Sequence, residues 1–323
     1  MEKLIFPDLY CPFPSQVNQY VDVLEDYAFE WVLRFNLLSN ESTYQHFLKT
    51  NFFWLTANTY PHYQLEELKI GNDWLSWLFI WDDHCDLSDL RKQPQVLKVV
   101  HKRFLEIFTG AEEATSKDIP LTHALSDLRQ RMIKMWGARY FHLLIPCLED
   151  YFNGCVLQAD NHSQKTIPDL ETYIKTRRLS LAGDLVLAWI EYFNCLRIPN
   201  ILRKHQIIEK INEMTINILA WCNDIFSFPK ELASNDVHNL VLVLHYQQQL
   251  SLEQSVDYAV NMHNRELQAL LELEKSLPSF GEELDTEIAK YLSGIHDWIR
   301  GNFDWCTKTA RYNSVENLDL VKC

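Results

Sequence analysis

The sequence predicts an all-α protein. Three observations carry that expectation. Apolar residues recur at intervals of three and four along most of the chain. Only 8 of the 323 residues are glycine. No stretch combines strict apolar–polar alternation with the turn residues of a hairpin. Apolar side chains make up 47 % of the chain, so a large core can be buried.

Residues 1–15 contain Pro7, Pro12 and Pro14 and read as an extended arm. Residues 17–35 then place Val21, Leu24, Ala28, Trp31, Val32 and Phe35 on one side of a helix. The same period predicts helices over 65–81, 95–108, 121–136, 139–157, 170–193, 206–228, 252–277 and 285–306. Ser251 and Gln254 stand in capping-box spacing at the start of 252–277. Loops are expected over 115–120, 161–168 and 278–282. No internal repeat or low-complexity linker divides the chain, so residues 1–323 are expected to form one domain. Its long helices suit a bundle around a central cavity.

The net charge of −14 argues against a nucleic-acid grip, which needs a basic face. It does not exclude an anionic ligand if metal ions stand between the charges. The cysteines are Cys11, Cys85, Cys147, Cys155, Cys195, Cys222, Cys306 and Cys323. None forms a CxxC pair, so neither a zinc site nor a disulfide framework is expected. The chain opens without a secretory apolar stretch, and its longest apolar run, residues 74–81, is far short of the ~20 residues of a membrane span. A soluble cytoplasmic protein is expected, with a homodimer left open.

Two polar clusters interrupt apolar helices. Asp82, Asp83 and Asp86 end the aromatic run 74–81 and share one helical face with Leu75, Leu78 and Phe79. Their charges repel, the C-terminal helix dipole adds to that, and no Lys or Arg follows before Arg91. A divalent cation would offset the repulsion, although a solvated acidic helix end fits the motif taken alone. In residues 219–231, Asn223, Ser227 and Glu231 recur every four positions and stack in one row. An amide, a hydroxyl and a carboxylate form an all-oxygen set suited to Mg²⁺. A polar seam against another helix is the plainer alternative. Pro229 is expected to kink or end this helix, and Lys230 to point toward the same mouth.

With these residues in place, the chain resembles the class I terpene synthases, especially the bacterial single-domain sesquiterpene cyclases. Asp82-Asp83-His84-Cys85-Asp86 matches their DDxxD motif, and the segment from Asn223 to Glu231 matches their NDxxSxx(K/R)E triad. Arg177 lies 46 positions before Asn223, where the family keeps a diphosphate-sensing arginine. Arg311-Tyr312 matches the late RY pair, and the arm with Phe6, Pro12, Phe13 and Pro14 fits the N-terminal pattern.

The resemblance implies that three Mg²⁺ ions are held by Asp82, Asp83 and Asp86 on one side and Asn223, Ser227 and Glu231 on the other. It makes these residues, with Arg177, the catalytic apparatus. It implies that Arg177, Lys230, Arg311 and Tyr312 contact the diphosphate. Ser180 and Leu181 fall at the family's linker and effector positions; a small residue is usual at the second, so Leu181 departs from the pattern. Phe52, Phe53, Trp54, Phe79, Trp305 and Tyr312 are candidates for facing a carbocation, with Phe79 and Trp305 favoured.

The implied activity is ionisation and cyclisation of farnesyl diphosphate to a sesquiterpene of germacrene or selinene type. A chain-elongating prenyltransferase would carry a second aspartate-rich motif in place of Asn223, Ser227 and Glu231. Head-to-head synthases use two DxxxD motifs, which fit no better. His296-Asp297 invites a phosphohydrolase reading but has no later histidine to complete a site. A non-catalytic helical scaffold would leave both oxygen clusters without a reason.

Overall fold

The computed structural model describes residues 9–234 and 236–313, which form helices and connecting turns with no strand among them. Phe6 and Pro7 of the expected arm, and Cys323, lie outside the described residues. The helices are α1 (Val21–Arg34), α2 (Glu41–Thr50), α3 (Phe52–Thr59), α4 (Leu65–Leu87), α5 (Pro94–Thr109), α6 (Pro120–Trp136), α7 (Phe141–Gln164), α8 (Leu170–Ser180), α9 (Gly183–Phe193), α10 (Asn200–Arg203), α11 (Gln206–Ala233), α12 (Leu240–Gln248), α13 (Leu252–Lys275), α14 (Glu282–Lys308) and α15 (Ala310–Asn313). None is long and apolar enough to cross a membrane.

The central helix α4 starts at a capping box in which the Gln64 side chain accepts the Glu67 N–H and the Glu67 carboxylate accepts the Gln64 N–H. It then buries Trp74, Trp77 and Trp81 almost completely. Each large ring finds a neighbour: Trp74 meets Phe108 edge-on at 5.3 Å, and the Trp77 indole N–H donates to the Leu121 carbonyl at 2.8 Å. Helices α1, α3 and α6 pack on α4; beyond them α3 pairs with α14, α11 with α13, and α7 with α8 and α5. Residues 9–20 cross this bundle. Ser15 donates to Asp304, the Asn18 amide donates to the carbonyls of Tyr60 and Tyr63, and Phe13 stacks on His296 at 4.1 Å. His296 also holds Glu274 at 3.0 Å, so the His296-Asp297 pair is part of the packing between α13 and α14.

The structure departs from the sequence expectation in several places, one being the expected loop 161–168, where residues 161–164 belong to α7. The expected helix 170–193 is broken between α8 and α9. Ala182 takes φ 62°, a left-handed conformation that costs a non-glycine residue about 1–2 kcal/mol. The expected helix 65–81 runs on to Leu87, so Asp82, Asp83 and Asp86 sit inside its last two turns. Pro229 does not end α11, which continues to Ala233. The short helices α2, α3 and α12 were not foreseen: their apolar stretches are too brief to show a period.

Two glycines allow backbones to touch where the bundle needs it. A Cβ at Gly154 of α7 would lie 2.5 Å from the Ser180 nitrogen, beside the break after α8. A Cβ at Gly301 of α14 would lie 2.6 Å from the Asn58 carbonyl carbon in α3. Rigid backbone is the obstacle at Gly301, so G301A should destabilise the protein by about 1–3 kcal/mol. A lower urea midpoint with an unchanged slope is the expected result. An unchanged midpoint would mean that α3 and α14 can separate freely.

Candidate active site

The last turns of α4 and the second half of α11 face each other across one cavity of about 110 Å³. Asp82 and Asp86 line it from α4, and Asn223, Lys230 and Glu231 from α11. Arg177 and Ser180 enter from the end of α8, and Arg311 and Tyr312 from α15. Phe79, Trp81, Leu97 and Tyr151 supply the ring and aliphatic surface. The sequence-expected residues Asp83, Ser227, Leu181 and Trp305 stand behind this wall: Leu181 follows α8 directly, and Trp305 packs behind Phe79 at 5.5 Å. Of the other aromatic candidates, Phe52 stacks on Phe79 at 4.4 Å, Phe53 is buried outside the wall, and Trp54 is 40 % exposed and lines no part of the cavity.

The aspartates are offset by cations from distant parts of the chain, which the local sequence does not reveal. Arg311 is almost wholly buried and reaches both Asp83 oxygens, at 2.9 and 2.8 Å, and Asp82 at 3.2 Å. His46 meets Asp83 at 3.2 Å. Lys230 lies 3.8 Å from Asp86 and 4.0 Å from Asp83. The Arg311 guanidinium also sits over the rings of Phe79 and Phe52, at 5.1 and 5.8 Å.

These surroundings split the three carboxylates. Burial alone would raise Asp83, but Arg311 and the His46 hydrogen bond hold it well below the usual carboxylate range. Asp86 is pushed up to about 8 by burial and by the charge of Asp82. Asp82 is raised too, chiefly by burial, against the pull of Arg311. Its carboxylate is 55 % accessible, yet that surface faces the cavity and is walled by protein, so the burial effect outweighs the exposure.

The row on α11 is held by a second network. The Arg177 guanidinium donates to the Asn223 amide oxygen at 2.9 Å and to Asp224 at 3.0 Å. The Asn223 amide nitrogen donates to the Tyr312 hydroxyl at 2.7 Å. Asp224 is fully buried and also accepts from the Tyr173 hydroxyl and from the Leu240 N–H. The Asn239 amide nitrogen donates to Glu231 at 2.6 Å and lies 3.4 Å from the Ser227 hydroxyl. Burial and the nearby Asp236 raise Glu231. Asp236 pairs with His162 at 3.3 Å, and both line the cavity with His238.

A hard divalent cation fits this donor set. Carboxylates, an amide oxygen and a hydroxyl are oxygen ligands, and acids raised by burial and mutual repulsion mark a place for positive charge. Among the described residues, no three His, Cys, Asp or Glu side chains already converge on a metal position. Arg311, Lys230 and His46 take up the α4 carboxylates instead, and Mg²⁺ commonly draws part of its shell from substrate phosphates.

Sequence reasoning missed Asp224, Tyr173, Asn239, His46, Asp236, His162 and His238. For Asn239 there was a signal: an asparagine directly before the apolar run 240–244 is a helix N-cap pattern. The others depend on chain crossings that no local pattern shows.

The chain is similar to known proteins in sequence and in fold. A family model described as terpene synthase family 2, C-terminal metal binding, matches residues 73–269. The chain is 53 % identical over 322 residues to germacrene A synthase of Nostoc punctiforme, covering 100 % of this chain and 99 % of that one. It is 31 % identical to a (+)-T-muurolol synthase, described as (2E,6E)-farnesyl diphosphate cyclizing, of Roseiflexus castenholzii, covering 94 % and 93 %. The crystal structure of germacradien-4-ol synthase from Streptomyces citricolor shares the fold, with a TM-score of 0.82 at 22 % identity over 93 % of this chain and 98 % of that one.

The Arg311–Asp83 pair is buried on both sides, at 3 % and 15 % side-chain exposure. Removing one partner of such a pair strands the other charge. R311Q should therefore lose on the order of 3 kcal/mol in chemical denaturation with EDTA present. Stability equal to wild type would show that this pair does not tie α15 to α4.

Proposed function

The chain belongs to the class I terpene synthases, enzymes that depend on a divalent metal, and on that premise we propose that it ionises farnesyl diphosphate and cyclises the cation to a germacrene-type sesquiterpene. The observation that carries the proposal is the meeting of two oxygen-rich helix faces, with the cationic side chains of Arg91, Arg177, Lys230 and Arg311, on one cavity. The relative at 53 % identity supports the C15 substrate and favours a germacrene skeleton over a selinene one. We take the whole chain as one catalytic domain.

When bound by Asp82, Asp83 and Asp86 on one side and Asn223, Ser227 and Glu231 on the other, three Mg²⁺ ions would neutralise the charge that builds on departing diphosphate. The protein's own part is to grip and orient that diphosphate. Arg177, Lys230 and Arg311 present N–H groups and Tyr312 an O–H to the cavity. To reach phosphate oxygens, Lys230 and Arg311 turn away from the carboxylates they hold in this structure. The allylic C–O bond breaks with its electron pair leaving on oxygen, and donors placed at that oxygen bind the departing charge more strongly than the ground state. Phe79, backed by Phe52 and Trp305, presents π-surface to the cation that remains. Trp81 and Leu97 help to keep out the water that would quench it. The last cation must lose a proton, and burial holds the neighbouring Tyr151 phenol far above its usual range. Released diphosphate can accept that proton.

Incubation with farnesyl diphosphate, followed by gas chromatography–mass spectrometry, should give a C15 hydrocarbon with Mg²⁺ and none with EDTA. Longer prenyl diphosphates formed on adding isopentenyl diphosphate would point to chain elongation instead. N223A and D82A should each lower turnover by on the order of 10²–10³ while keeping the circular dichroism of wild type. Wild-type turnover in either folded variant would remove that residue from the metal-binding set.

A further inference from the structure

Asn239 is completely buried and stands between α11 and α12, eight residues past Glu231, where the NDxxSxx(K/R)E motif ends. Its side chain works in two directions. The amide oxygen caps α12 by accepting the Val241 N–H at 2.8 Å. That bond fixes which end of the amide is which, so the nitrogen must face α11. There it donates to the Asp224 carbonyl at 2.7 Å and the Glu231 carboxylate at 2.6 Å, with the Ser227 hydroxyl at 3.4 Å. An amide nitrogen carries two hydrogens, and the two short bonds account for both.

The location needs such a tie. Pro229 has no N–H, so α11 loses one rung of its ladder two residues before Glu231. The last turn, which carries Glu231, is therefore less constrained by its own helix than the turn that carries Asn223. Asn239 replaces that constraint from outside and links it to the start of α12. The next residue does the same for Asp224: the Leu240 N–H donates to its carboxylate at 3.0 Å.

We propose that Asn239 is a positioning residue for the metal-binding row, fixing the Glu231 carboxylate relative to Asn223. This rests on the reading of Asn223, Ser227 and Glu231 as metal ligands. Only an amide meets both demands at once. A carboxylate has no hydrogen for Glu231, and a serine or threonine caps α12 but is too short to reach across as well.

N239S and N239T therefore separate the two roles, because both keep a capping oxygen. The probe is Mn²⁺ with inorganic diphosphate, followed by the electron paramagnetic resonance of free Mn²⁺. Both variants should bind Mn²⁺ about 10- to 100-fold more weakly than wild type. The Mg²⁺ activation curve should shift to higher concentration by a similar factor, with turnover largely regained at saturation. Wild-type affinity in a variant with a lowered melting temperature would mean that Asn239 is only a helix cap, and overturns the proposal. A wild-type protein that binds no Mn²⁺ would instead overturn the metal reading beneath it. Should the variants not fold, the Asn239 side-chain NH₂ resonances of the wild type decide: they should shift when Mg²⁺ and diphosphate are added, and unmoved resonances overturn the proposal.

Discussion

Like charge confined in one place is the constraint around which this protein is organised. Asp82, Asp83 and Asp86 crowd the end of α4, Asp224 and Glu231 the far half of α11, and Asp236 the turn that follows it, all close to one cavity. Carboxylates so placed repel one another and lose hydration. The chain meets this with partners brought from elsewhere: the cations Arg311 and Lys230 at α4 and Arg177 at Asp224, and the His162 imidazole at Asp236. None of these partners is a sequence neighbour. These counter-charges reach the carboxylates only when α4, α8, α11 and α15 have come together.

The helices that carry these charges are held by apolar packing of an unusually aromatic kind. Trp74, Trp77 and Trp81 anchor α4 against α5 and α6, and the close approach at Gly301 locks α3 to α14. A rigid frame is what lets polar side chains keep fixed directions at its rim. Where the frame is interrupted, at Ala182 and at Pro229, the interruption falls beside the cavity, and the positions next to it are tied by Arg177 and by Asn239.

Much of this was legible in the sequence. The period of three and four marked the long helices, and the acidic and amide–hydroxyl–carboxylate clusters stood out because each interrupts an apolar face. Limits came from two sources. Helix ends are decided by what surrounds them: residues 170–193 keep apolar positions at helical spacing and read as one helix, but the approach of α7 at Gly154 accompanies a turn at Ala182. Pairings across the fold are invisible locally: the acidic run appeared to have no counter-charge before Arg91, whereas its partners are His46, Lys230 and Arg311.

Arg311 has one more consequence through the two rings beneath it. Its guanidinium rests on the faces of Phe79 and Phe52, so these π-clouds already point at a resident positive charge in the protein without substrate. On the proposed chemistry, Arg311 turns toward the diphosphate and leaves the Phe79 face, already set for positive charge, to a transient carbon-centred cation. The reorientation that a flexible solvent would have to perform during the reaction was completed when the chain folded. A permanent ion can in this way act as a mould for a fleeting one.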